Sequence, residues 1–239
     1  MRIVLLPGMD GTDRLSAGLV KALPPGSDSG IIAYPTDRFL DYDELERWVR
    51  ARLPRSERFI LVAQSFSGPV AYRIARRPPP NLALLVLVAS FVEPPHPGLR
   101  WVQSWLPLRL LLRRALAGGV VTRLLLGKPA GPELLERFRR VLAGVPGEVL
   151  SRRLSAMAQL PPARESIRVP CVYIRPRDDN LVAPRNIDVI RRIAPDLRVY
   201  TVEGRHFVTE TNPAACVDAL REALKEFVEI AAGASAPSQ

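Results

Sequence analysis

A polypeptide segment that stays aliphatic without alternating can be a strand only where both of its faces are covered. This chain has such runs at "RIVLLPG" (2–8), "RFILVAQ" (58–64) and "LALLVLVAS" (82–90). Shorter ones lie at "GIIAYP" (30–35), "CVYIRP" (171–176) and "LRVYTVEG" (197–204). A half-buried strand alternates apolar and polar residues, whereas an interior strand of a parallel sheet does not. Segments with helical spacing lie between the runs. In "DYDELERWVRARL" (41–53), Asp41 is placed to cap, acids fill the first turn, and Leu45, Trp48, Val49 and Leu53 share one face. "GPVAYRIARR" (68–77) carries Pro69 near its start, and "PAACVDALREALKEFVEIAA" (213–232) is amphipathic. Strands and helices in alternation predict an α/β fold, a mostly parallel sheet with helices on both faces.

The segment 94–166 breaks the alternation. It reads as helical with Pro and Gly interruptions, and we expect an insertion over the carboxyl ends of the strands, the edge where open parallel sheets bind ligands. The expected organisation is a core of residues 1–93 and 167–232, a helical insertion of 94–166 and a flexible polar tail of 233–239. Net charge is +10, and residues 91–169 hold 13 Lys/Arg against 5 Asp/Glu. Such asymmetry suits an acidic partner or surface. Nucleic acid is not expected, because the basic residues are mixed with leucines and no nucleic-acid module is recognisable. Cys171 and Cys216 have no metal-ligand or CxxC spacing and read as reduced packing residues of a cytoplasmic protein. No secretory leader and no unbroken membrane-spanning run is visible.

The run "LVAQSFSGPV" (61–70) leaves its strand through Ser65. A sharp strand–turn–helix passage strains the serine backbone and requires small residues two positions before and after it; here they are Ala63 and Ser67. A serine hydroxyl needs a base to become a nucleophile. The chain has two histidines. His96 sits in a proline-rich loop, while His206 follows the last strand and can reach the carboxyl edge of a central one. A carboxylate must then orient the imidazole. Asp179, directly after strand 171–176, is the preferred candidate, with Asp178 and Glu93 as alternatives. No P-loop, no G-x-G-x-x-G and no HExxH is present, so neither nucleotide nor zinc is expected, and no cofactor is.

The order Ser65, Asp179, His206 and the segments around these residues resemble the α/β-hydrolase superfamily. "LLPGMDGT" is similar to the loop after its first core strand, "LVAQSFSGPVAYRIA" to its nucleophile elbow, "RPRDDNLVAP" to its acid loop, and "VEGRHFVTETNPAACVDALREAL" to its histidine loop and last helix. The resemblance covers about 1–92 and 167–230. It departs from the usual pattern at Ala63 and Ser67, where glycines are usual, and at Pro7, where a histidine is usual. The chain begins at what would be the third strand of a full member, which implies a sheet short by two edge strands. The resemblance implies an α/β-hydrolase fold with 94–166 as a helical cap. It also implies an oxyanion hole of the Met9 and Phe66 backbone N–H groups.

The function expected from this reading is serine hydrolysis of a carboxylic ester or thioester through an acyl-enzyme. The cap leucines and tryptophans of 98–127, such as Leu99, Trp101, Trp105 and Leu124, would line a site for an apolar acyl or alkyl group. The substrate would be a small molecule or an acyl group on a carrier. The arginines among the leucines would equally suit an anionic membrane surface. Alternatives are a non-catalytic binding protein of the same fold, or C–C hydrolase, haloperoxidase or acyltransferase chemistry. Oligomeric state is not legible from the sequence.

Overall fold

The computed structural model describes residues 1–96 and 131–233, with the side chains of the last helix described as far as Phe227. Its frame is a sheet of six parallel strands: β1 (Arg2–Leu6), β2 (Ser29–Ile31), β3 (Phe59–Gln64), β4 (Leu82–Val88), β5 (Cys171–Pro176) and β6 (Arg198–Val202). The spatial order is β2-β1-β3-β4-β5-β6. The three uninterrupted aliphatic runs, β1, β3 and β4, are neighbours at the sheet's interior, as their lack of alternation requires. Every residue of β3 and β4 is buried. A fully buried aliphatic side chain such as Leu61 or Leu85 contributes about 1.5–3 kcal/mol relative to exposure.

Two apolar layers clamp the sheet. On one face, α2 (Tyr42–Arg50), α3 (Gly68–Arg76) and α6 (Arg185–Ile193) contribute Leu45, Val49, Ile74 and Ile190 to a core with Val4, Leu61 and Leu85. On the other face, α1 (Ala17–Ala22) and α8 (Pro213–Gly233) pack Leu19, Cys216 and Leu220 on Ile60, Val62 and Val86. Alternate residues of β3 thus serve opposite layers. Asp41 caps α2 as expected and forms a capping box with Glu44: each side chain takes a backbone N–H of the other residue at 2.8 Å.

Several boundaries differ from the sequence reading. The strand expected at 30–35 is only Ser29–Ile31, because Tyr34 instead binds the loop after β1 through its N–H to Gly11 O at 2.8 Å. β4 stops at Val88, since Ala89 adopts a left-handed conformation, φ 47°. Helices α1 and α6 and the short α7 (Val208–Thr211) were not anticipated. α6 lies in a segment read only for its acidic loop, yet it buries Ile187, Ile190 and Ile193 at helical spacing.

Within the segment 94–166, two described helices stand where the alternation stops: α4 (Pro132–Ala143) and α5 (Gly147–Ala158). Phe138, Val141, Leu142, Val149 and Leu150 form a separate cluster with Leu15, and Met9 and Phe207 pack against it. These helices therefore cover loops that leave the carboxyl edge of the sheet. The expected apolar lining at 98–127 and the tail beyond residue 233 lie outside the described residues.

Among the described glycines, Gly68, the first residue of α3, has the tightest surroundings. A Cβ there would stand 2.1 Å from the Phe91 carbonyl oxygen and 2.3 Å from Ser90 Oγ. Neither neighbour is the far end of a flexible chain. Gly68→Ala is expected to destabilise the protein by about 3 kcal/mol, the overpacking range, measured as a lower urea midpoint. An unchanged midpoint would contradict this account of the elbow's packing.

Candidate active site

Strand β3 ends at Gln64, and the chain turns at once through a short 3₁₀ segment, Ser65–Ser67, into α3. Ser65 has φ 48°. A non-glycine residue in this region costs about 1–3 kcal/mol and persists only where its surroundings over-determine it. Here the surroundings are specific. Ala63 is fully buried between strand neighbours, and Gly68 permits α3 to approach Ser90 and Phe91. The Ser90 hydroxyl donates to the Ser65 carbonyl at 2.7 Å. Tyr173 of β5 in turn holds Ser90: its hydroxyl donates to the Ser90 carbonyl at 2.9 Å and accepts from the Ser90 N–H at 3.2 Å. The left-handed Ala89 is what turns Ser90 back over the elbow.

The outcome is a half-buried serine whose Oγ lies 2.7 Å from His206 Nε2. His206 Nδ1 is 3.0 and 3.1 Å from the two carboxylate oxygens of Asp179. The imidazole and the carboxylate side chains are 4% and 7% exposed, so the pair is largely withdrawn from water. Asp179 Oδ1 also accepts the N–H groups of Leu181 at 2.9 Å and Val182 at 3.1 Å. Burial pushes the Asp179 carboxyl upward. His206, by charge and hydrogen bond, and the two amides outweigh burial and hold it below its ordinary value of 3.8. The carboxylate is thus an ionised acceptor facing Nδ1, and in the neutral ring with its proton on Nδ1, Nε2 can accept from Ser65.

The two alternative acids lie elsewhere. Asp178 is exposed, and its N–H joins the Gly204 carbonyl. Glu93 accepts the Ala163 N–H at 3.0 Å and faces Arg192 at 3.3 Å. Phe66 directly follows Ser65. Met9 lies three residues past Leu6, which pairs with Ala63 in the adjacent strand, so Met9 and the Ser65–Phe66 peptide leave neighbouring strands at one edge. Phe66 is fully buried, stacked on Tyr42 at 5.1 Å.

Several residues around the site escaped the sequence reading. Gln64, buried beside the serine, accepts from the Ser16 hydroxyl at 2.9 Å. Glu210, whose side chain is fully buried four residues after His206, accepts the Gly18 N–H at 2.7 Å and meets Arg137 of α4. Burial raises its pKa, and the Gly18 bond and the Arg137 charge oppose that. Arg153 of α5, 1% exposed, reaches the carbonyls of Met9 and Pro35. Nothing local marks Arg153 among 34 basic residues. Among the described residues no group of three His, Cys, Asp or Glu could hold a metal ion, and no helix is long and apolar enough to cross a membrane. Both cysteines are free and buried, and burial pushes each thiol up to about 12.

Comparison with known proteins places the chain in a family. The family model described as "Alpha/beta hydrolase family" matches residues 3–219. No curated protein sequence matches the chain. Among solved structures, a thermophilic esterase from Thermogutta terrifontis is similar at 17% identity and a TM-score of 0.71, over 95% of this chain and 90% of that one. The enol-lactonase from Burkholderia xenovorans gives 17% and 0.74, over 95% and 91%. A lipase-esterase related protein from Clostridium acetobutylicum gives 13% and 0.74, over 92% and 93%. At these identities the likeness is one of fold, and it spans nearly the whole of each chain. With a family match that omits only the first two residues and the last twenty, the chain belongs to the alpha/beta hydrolase family.

Proposed function

We propose that this protein hydrolyses a carboxylic ester or thioester through an acyl-enzyme, with Ser65 as nucleophile, His206 as base and then acid, and Asp179 as the group that orients His206. The observation that carries the reading is the continuous contact from Ser65 Oγ through both ring nitrogens of His206 to Asp179, built on a serine with φ 48°. Ser65 Oγ attacks the acyl carbon as its proton passes to Nε2. The Met9 and Phe66 N–H groups receive the carbonyl oxygen as it gains charge. Collapse breaks the bond to the leaving alcohol or thiol, which takes the proton from Nε2. Water then attacks the acyl-enzyme with His206 as base, and the acid product leaves as Ser65 recovers its proton. The esterase and the enol-lactonase among the structurally similar proteins agree with this class of reaction.

Ser65→Ala is expected to lower kcat on p-nitrophenyl esters by at least about 10³-fold, with an unchanged urea midpoint. A fluorophosphonate should label Ser65 in the wild type, as read by peptide mass mapping, and should fail to do so in His206→Ala. Turnover by Ser65→Ala near the wild-type rate would refute the proposal. Asp179→Asn tests the orienting carboxylate in two ways. Its kcat should fall by about 10³- to 10⁴-fold. Because the folded protein depresses the Asp179 pKa, its contribution to stability is complete above the ordinary carboxylate range. It is lost as pH falls through the depressed value. Urea midpoints should therefore drop less between about pH 5 and about pH 3 in Asp179→Asn than in the wild type.

A further inference from the structure

The loop after β1 carries the Met9 N–H assigned above to the oxyanion hole, and a backbone donor is only as well aimed as its peptide plane. Three successive carbonyls of this loop are held from three different places. The Pro7 carbonyl accepts the hydroxyl of Ser67, a fully buried residue of the elbow, whose Oγ also lies 2.5 Å from the hydroxyl of buried Tyr34. The Gly8 carbonyl accepts the Gly11 N–H at 3.0 Å. The Met9 carbonyl accepts Arg153 Nη1 at 2.8 Å, while Arg153 Nη2 donates to the Pro35 carbonyl at 2.7 Å.

The middle plane is the one that matters. In a trans peptide the C=O and N–H point in opposite directions. The turn that ties Gly8 O to Gly11 N therefore aims the Met9 N–H out of the turn. The planes on either side fix the rotation of that middle peptide. Ser67 holds the one before it from beneath, and Arg153 holds the one after it from α5. Tyr34–Pro35 closes the arrangement, since the Tyr34 N–H joins Gly11 O, its hydroxyl meets Ser67, and the Pro35 carbonyl receives the second arm of Arg153. The guanidinium leaves no room for a side chain at Gly11. A Cβ there would lie 2.7 Å from Nη1, and Gly11 has φ +75°. Burying an arginine is costly unless its donors are satisfied; both Nη atoms of Arg153 reach carbonyls while its buried Nε has no partner, and a planar fork spanning two carbonyls does what a lysine ammonium cannot.

On the footing of the proposed hydrolase reaction, we propose that Ser67 and Arg153 are positioning residues for the Met9 oxyanion donor. Through Arg153, the docking of α5 completes the oxyanion hole. Neither side chain touches substrate. Each acts by holding a carbonyl of the loop. The mechanism thus depends on α5 as well as on the strands and loops that carry Ser65 and His206.

The test uses the full chain with p-nitrophenyl butyrate as substrate and a trifluoromethyl ketone as the analogue of the tetrahedral oxyanion. Rates are normalised to the fraction of Ser65 that a fluorophosphonate labels to completion. Ser67→Ala removes one oxygen atom, Arg153→Met keeps the bulk and removes both donors, and Arg153→Lys restores the charge with a single reach. For Ser67→Ala and Arg153→Met, kcat per labelled site should fall about 10- to 100-fold, with KM within threefold. Ketone affinity should fall by the same factor as kcat/KM. Arg153→Lys should recover part of the loss. Unchanged kcat per labelled site in both variants, or a loss fully explained by fewer labelled sites, would overturn the inference. If Arg153→Met does not fold, Ser67→Ala decides alone. A wild type whose Ser65 does not react would overturn the proposed function and this inference together, whereas reactive wild type with unaffected variants overturns only the inference.

Discussion

The rest of the site depends on one backbone constraint, the left-handed Ser65 at the end of a fully buried strand. A residue at φ 48° without a glycine's freedom must be held there. What holds it is close approach on every side. Ala63 is enclosed, Gly68 lets α3 come against Ser90 and Phe91, and the Ser90 hydroxyl takes the Ser65 carbonyl. The strain is local, and the restraint is distributed over β3, β4, β5 and α3. Because these are the interior elements of the sheet, the hydroxyl of Ser65 inherits their rigidity.

A second feature is how polar groups are used inside the apolar layers. Buried hydroxyls and one buried guanidinium connect the loops at the carboxyl edge: Tyr173 to Ser90, Ser16 to Gln64, Tyr34 to Ser67, Arg153 to Met9 and Pro35. Burial pushes the tyrosine hydroxyls of Tyr34 and Tyr173 upward, so they remain neutral donors. Each such bond adds about 0.5–1.5 kcal/mol net, but an unmatched partner would cost more than that. The network therefore specifies one arrangement of the loops more than it adds to overall stability. Glu210 with Arg137, and Arg153 with the Met9 carbonyl, extend that specification from the core into α4 and α5.

Much of this was legible from residue order. Continuous aliphatic runs located the interior strands, Asp41 marked the start of α2, and the small residues around Ser65 marked the turn. The chain order of Ser65, Asp179 and His206 carried the family resemblance, and the structure brings these three side chains into contact. Position after a strand end points to Asp178 and Asp179 alike, and the turn geometry at Leu181 and Val182 is what separates two adjacent aspartates. "GIIAYP" is as aliphatic as a strand, yet β2 ends at Ile31 because Tyr34 finds its backbone partner in a loop. Helix α6 is hard to read from the sequence because Pro184 at its start belongs equally to the acidic loop before it.

What the sequence by itself determined are the properties that depend on neighbours in the chain: the sheet's parallel interior, the elbow, and the residue types available for chemistry. Only the tertiary structure decided the properties that depend on residues far apart. Arg153 and Met9 are separated by 144 positions, and Ser67 and Pro7 by 60, so no local pattern distinguishes this arginine or this serine from the others. A hydrogen bond in a buried site is defined by distance and direction between atoms. Those are set by how the layers pack, and packing is a property of the whole chain.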